Sequence, residues 1–185
     1  MTQQKKDIMF YSICIGLCFI IIFFKTNIIY MATIPTGSME STIPIDSKIL
    51  GDRLYYNQHT PERGDVIIFK YPIDNKTPYI KRIIGLPGET IQIKNSVVYI
   101  NDQILDEPYL KESWIIDNDD FFFIVPQNHY FVLGDNRNNS LDARYWSQIA
   151  NLNNLNNPEQ YTFISRSNIL AKAKYIYYPH FKKIK

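Results

Sequence analysis

Thr90-Ile91-Gln92-Ile93-Lys94-Asn95-Ser96-Val97-Val98-Tyr99-Ile100 is the stretch whose reading decides the fold class. Two short runs rich in Ile and Val flank Asn95-Ser96, a polar pair suited to a tight reversal. Asn101-Asp102 offers a second reversal directly afterwards. Two successive hairpins predict an antiparallel meander.

The same grammar extends in both directions. Runs of Ile, Val, Tyr and Phe separated by Pro, Gly, Asn and Asp predict strands at Asp65 to Lys70, Tyr79 to Leu86, Phe121 to Val125, Tyr130 to Leu133 and Ile169 to Tyr178. The expected class is mainly β. Residues 151–160, Asn-Leu-Asn-Asn-Leu-Asn-Asn-Pro-Glu-Gln, have little to bury and are expected as a surface loop. No internal repeat, no Gly-rich phosphate cradle and no metal-ligand spacing occurs, so neither metal nor cofactor is expected.

At 185 residues the chain has room for one domain and an appendage. Its net charge of +2 gives no basic field for nucleic acid. Both cysteines, Cys14 and Cys18, fall in an apolar run, so the polar remainder has no thiol nucleophile and no disulfide. Ile8 to Phe24 holds no charged residue, and with Lys25 snorkelling to the interface the run could continue through residues 28–32. This predicts a transmembrane anchor over residues 8–30, with a cleaved signal peptide and a buried core helix as the alternatives. Lys5 and Lys6 precede the run, which places residues 1–7 in the cytoplasm and residues 31–185 outside.

Three constellations carry chemistry. Ser38 follows Gly37 in Ile34-Pro35-Thr36-Gly37-Ser38-Met39, where the glycine permits close backbone approach to a substrate. Taken alone, it is more commonly an ordinary turn serine. His59, His129 and His180 sit in no triad-like signature, so an amine is the other candidate base. Strand alternation puts Lys81 and Arg82 on opposite faces of Tyr79 to Gly85. Only a lysine can lose its proton, so Lys81 is the candidate base, against the common alternative of a solvated surface lysine. The third constellation, Gly134 to Arg144, is a dense polar loop that reads first as a structural hydrogen-bond network, with Ser140 able to orient a buried amine.

Together these segments resemble the bacterial type I signal peptidases, membrane-anchored serine-lysine proteases. The resemblance covers nearly the whole chain and rests on IPTGSMESTIPI around Ser38, RGDVIIFKYP from Arg63, YIKRIIGLPGE from Tyr79 and GDNRNNSLDAR from Gly134. It implies a catalytic domain of two antiparallel sheets behind one N-terminal transmembrane helix, in the plasma membrane. It further implies Ser38 as nucleophile, Lys81 as general base, and the Ser38 amide with the Thr36 hydroxyl as oxyanion donors. Ser140 would position the Lys81 ammonium, supported by an Asp142–Arg144 ion pair. Ile34, Pro35, Met39, Ile43, Tyr79 and Ile80 would line pockets for small residues at the first and third positions before the cut.

The implied partners are preproteins and membrane lipid. Departures from the family pattern include Glu40-Ser41 after Met39, Ala143 and Ser147, and the Asn-rich stretch reads as an insertion. A dedicated protease for one partner, such as a pilin or transfer protein, is the competing reading, and a silent assembly module is another. Lys174 to Lys183, aromatic and basic, is expected either on the headgroup region or as a final strand with a solvated end.

Overall fold

The structure, a computed structural model, describes residues 3–110, 112–115 and 120–185. Helix α1 spans Gln3–Asn27, and Ile8, Phe10, Phe19 and Ile21, which point in different directions around it, are all largely exposed. Among the described residues no helix is long and apolar enough to cross a membrane.

Strand β1, Ile29–Thr33, follows at once, so the apolar run is shared between a helix and a strand. Ile29 and Tyr30 pair with Asp52 and Gly51 of β2, Lys48–Asp52. A short apolar run has no period that tells helix from strand; here the cross-strand partner decides.

After the single helical turn α2, Tyr55–Gln58, come β3, Val66–Lys70, and β4, Pro78–Gly85. Then follow β5, Thr90–Lys94, β6, Val97–Ile100, β7, Gln103–Ile104, β8, Phe121–Ile124, and β9, His129–Leu133. Helix α3, Ala143–Leu152, leads to β10, Ile164–Ser165, β11, Ile169–Tyr178, and β12, Lys182–Lys183. Among the described residues these strands make two antiparallel sheets. The smaller has the order β7-β6-β5-β8, and the larger β1-β2-β11-β3-β4-β9-β10, with β12 on β11.

The expected meander is present in the smaller sheet. Asn95 and Ser96 both take positive φ, 51° and 62°, as a tight two-residue hairpin turn requires. In the larger sheet β3 alternates cleanly. Ile67 and Phe69 enter one apolar cluster, while Val66 and Ile68 enter a second. The sheet is therefore covered on both faces along β3, which is why that strand reads as a nearly continuous apolar run.

Helix α3 is capped by the Asp142 side chain and buries Ala143, Trp146 and Ala150 along one stripe. Trp146 reaches Phe69, Tyr71 and Tyr79, with ring centroids 6.0, 5.7 and 6.4 Å away. The helix runs to Leu152 and a 3-10 segment begins at Pro158, so residues 151–160 are a loop only in their middle part. The C-terminal tail also differs from expectation. It turns back so that Lys182 and Lys183 pair with Ile176 and Tyr175, and Ile184 is buried in the second cluster. Lys182, Lys183 and Lys185 stay exposed, but the end of the tail is held by the fold.

Candidate active site

Pro35 ends β1, and the chain crosses an extended Thr36 (φ −129°, ψ 154°) into a 3-10 turn, Gly37–Met39. That turn buries Ser38, which is 6% exposed. Lys81, in the middle of β4, is 4% exposed, and its Nζ donates to Ser38 Oγ at 2.6 Å and to the Ile80 carbonyl at 3.1 Å. Burial pushes the Lys81 ammonium down to about 8, against the opposing pull of Asp142 and Asp135, while Arg144 adds to the downward push. An amine poised there is part neutral near neutral pH, as a general base needs.

The two groups meet at the floor of a cleft of about 480 Å³. Ile34, Pro35, Thr36, Tyr79 and Ile80, all expected at the site, line it, joined by Thr77, Pro78, Asn139 and Leu141. Met39 and Ile43 do not. Both are fully buried in the second apolar cluster, so they pack beneath the site rather than wall the pockets. An apolar residue beside a nucleophile faces either substrate or core, and the sequence holds no signal that separates the two.

The Gly134 to Arg144 loop clamps the serine turn from behind. Asn136 N donates to the Ser38 carbonyl at 3.0 Å, and Asn136 Nδ2 donates to the Gly37 carbonyl at 3.1 Å. Asp142 accepts from Arg144 Nε at 2.7 Å, from Arg144 Nη2 at 3.0 Å and from the Gly134 amide at 3.0 Å, with both side chains of the pair fully buried. This is the expected ion pair. Ser140 is buried beside it, but its Oγ has no hydrogen-bond partner and does not touch the Lys81 amine.

Sequence reasoning missed the heavier buried charge. Arg82, 2% exposed, donates from Nε and Nη2 to Asp135 at 2.8 and 2.7 Å, and from Nη1 to the Gly64 and Lys185 carbonyls at 2.7 and 3.0 Å. Thr42 Oγ1 donates to the same carboxylate. Arg137 pairs with Glu107 and lies over the Trp114 ring. The detectable signal was the loop's own composition, Asp-Asn-Arg after an apolar strand.

Gly134 sits between these groups. A Cβ there would lie 2.2 Å from Ser140 Oγ and 2.5 Å from the Ser38 carbonyl oxygen, and the second is backbone that cannot rotate away. Gly134→Ala is expected to displace Ser38 and lower turnover by about a hundredfold, with destabilisation of about 1–3 kcal/mol. Peptide-cleavage kinetics beside a denaturation curve check this, and unchanged turnover contradicts it.

The sequence model of a family described as "Signal peptidase, peptidase S26" matches residues 7–178. The chain belongs to this family. It is 34% identical over 152 residues to a probable signal peptidase I-2 of Synechocystis sp., covering 79% of this chain and 62% of that protein. It is 30% identical over 182 residues to the probable signal peptidase I-1 of the same organism, covering 95% and 83%. A solved signal peptidase I from Enterococcus faecalis V583 is similar over 62% of this chain and 97% of that one, at 31% identity and a TM-score of 0.47. The chain thus spans less than two thirds of the length of the first of these peptidases.

Proposed function

We propose that this protein is a membrane-bound serine endopeptidase that removes signal peptides from exported preproteins. The observation that carries the reading is the buried 2.6 Å contact between Lys81 Nζ and Ser38 Oγ at the floor of a cleft, within a chain of the signal peptidase family. Neutral Lys81 takes the Ser38 proton as Oγ attacks the scissile carbonyl. The ammonium then donates that proton to the leaving amine, and the regenerated amine activates water to release the acyl group. The Ser38 amide, at the start of a helical turn and so lacking an intrahelical acceptor, and the Thr36 hydroxyl, which caps nothing, serve the oxyanion.

Specificity for small residues at the first and third positions before the cut follows from crowding. Ile34, Tyr79 and Ile80, bulky apolar side chains that line the cleft with Ser38, would supply that crowding. Nothing in the cleft favours a dedicated partner over signal peptides in general.

Helix α1 serves as a single-pass anchor with its N-terminus in the cytoplasm and the catalytic domain outside. The support is its apolar surface on all sides, which a globular core helix would cover, and Lys5 and Lys6 near its start in the sequence. The deciding experiment incubates the purified full chain with a preprotein carrying an Ala-x-Ala site and maps the product's N-terminus. Removal of the signal peptide at that site is expected; a folded protein that leaves the preprotein whole overturns the reading. Protease added outside intact cells is expected to digest residues 31–185, and protection of that part overturns the topology.

A further inference from the structure

Six arginines occur in the chain, and four of them, Arg63, Arg82, Arg137 and Arg144, form ion pairs with carboxylates. Among the described residues Arg53 and Arg166 form none, and both line one pocket of about 560 Å³ that neither Ser38 nor Lys81 borders. No carboxylate lines this pocket. The neighbouring acids are engaged elsewhere: Asp52 accepts from the Leu54 amide at 3.0 Å, and Asp65 holds Lys172 at 2.5 Å and accepts from the Tyr56 hydroxyl at 2.9 Å. Two positive charges therefore border a hollow whose lining holds no carboxylate, an arrangement that lowers the free energy of an anion entering it.

The other polar groups suit the same guest. Ser165 and Ser167 stand at the wall with their hydroxyls 3.0 Å apart, each able to turn its proton outward. Asn57 and Asn128 line the pocket with side-chain amides that take no part in the hydrogen bonds of the fold. Arg166 is oriented by its own bonds, with Nη2 donating to the Tyr56 and His59 carbonyls at 2.7 and 3.4 Å and its backbone N to the Asn128 carbonyl at 2.9 Å, while Nη1 is enclosed without a partner. Arg53 is braced at 4.5 Å over the Tyr30 ring. Fixed guanidinium charge, with hydroxyl and amide donors around it, suits the several acceptor oxygens of a phosphate.

Position narrows the source. Arg53 N donates to the Ile28 carbonyl at 2.9 Å and its Nε to the Ile29 carbonyl at 3.4 Å, so the Arg53 wall of the pocket adjoins the residues that follow α1. Lys174, over the Tyr55 ring at 3.7 Å, extends the positive field on that side. We propose that the Arg53–Arg166 pocket binds a phosphate group, and that its place at the foot of α1 presents it to the headgroup phosphate of an anionic phospholipid. The anion site stands on the pocket alone, whereas the lipid source rests on α1 being the anchor; neither depends on the reaction at Ser38.

The test keeps the full chain in a sugar detergent free of phosphate and follows arginine side-chain NMR signals, assigned with Arg53→Gln and Arg166→Gln. One arm titrates inorganic phosphate and the other a short-chain phosphatidylglycerol. Saturable shifts confined to the Arg53 and Arg166 signals are expected, at lower concentration for the lipid, with affinity reduced roughly fivefold for each arginine removed. Because Arg166 also ties α2 to the domain, Asn57→Asp serves as the second variant: it is isosteric, exposed and sets a negative charge at the mouth. It is expected to weaken binding by roughly fivefold with folding intact. Equal or tighter response to inorganic phosphate supports the anion site and assigns it to a soluble ligand. No saturable shift in either arm, or affinity unchanged in Asn57→Asp, overturns the proposal.

Discussion

Lys81→Met and Ser38→Ala are each expected to lower preprotein cleavage by at least about a thousandfold, since each removes one half of a nucleophile and base that act as a unit. Lys81→Arg is expected to be equally inactive despite keeping the positive charge, because a guanidinium does not give up its proton. The pH dependence carries the sharper signature. The reactive form is the neutral amine, and burial holds Lys81 at about 8, so the neutral fraction grows as pH rises through that value. Activity of the wild type should therefore climb with pH and level off above about 8, falling to roughly one hundredth of the plateau two units below it. Steady-state cleavage between pH 6 and pH 9.5, with circular dichroism confirming that each variant is folded, checks all of this. Activity that survives Lys81→Met, or a flat profile, removes Lys81 from the mechanism.

Breaking the Arg82–Asp135 pair is expected to have the largest effect on stability. Both side chains are almost wholly buried, and the carboxylate is held by two guanidinium bonds and the Thr42 hydroxyl. Arg82→Met leaves Asp135 ionised in an enclosed site without its counter-charge, at a cost of about 3–5 kcal/mol. The same substitution frees the Gly64 and Lys185 carbonyls, so the C-terminal end loosens as well. Removing both partners, in Arg82→Met with Asp135→Leu, should cost less than either single change, because no lone charge remains. By contrast Lys172→Met at the more open Asp65 pair should cost only about 1 kcal/mol. Urea denaturation of the variants decides the matter, and additive losses in the double variant would show that the two groups are not coupled. Activity should fall along with stability in the single variants. The residues on either side of Asp135 support the serine turn: Gly134 packs against the Ser38 carbonyl oxygen and the Asn136 amide donates to it.

Several elements were legible because their information is local. The strands at Thr90 to Lys94 and Ile169 to Tyr178 end where turn residues say they should. Asn95-Ser96 takes the positive φ that such a hairpin demands. Strands β1 and β2 were not legible. Ile29–Thr33 continues the apolar character of the helix before it, and Lys48–Asp52 contains Gly51 and two charged ends, so only their mutual pairing makes them strands. Helix α3 did leave a signal, an Asp142 cap ahead of Ala143, Trp146 and Ala150 at helical spacing, which the polar loop before it obscures.

At the candidate site the division is sharper. From sequence alone it follows that, of the adjacent cations Lys81 and Arg82, only the lysine can serve as a base, because that depends on the chemistry of one side chain. Period-two alternation also puts them on opposite faces of one strand. What covers each face is a tertiary matter. Lys81 meets Ser38 across 43 residues of chain, Arg82 meets Asp135 across 53, and Met39 turns into the core although it neighbours the nucleophile. Those meetings are fixed by which strands pair in the larger sheet and which loops close over it. The drop in the lysine's proton affinity arises from burial that no local sequence window contains.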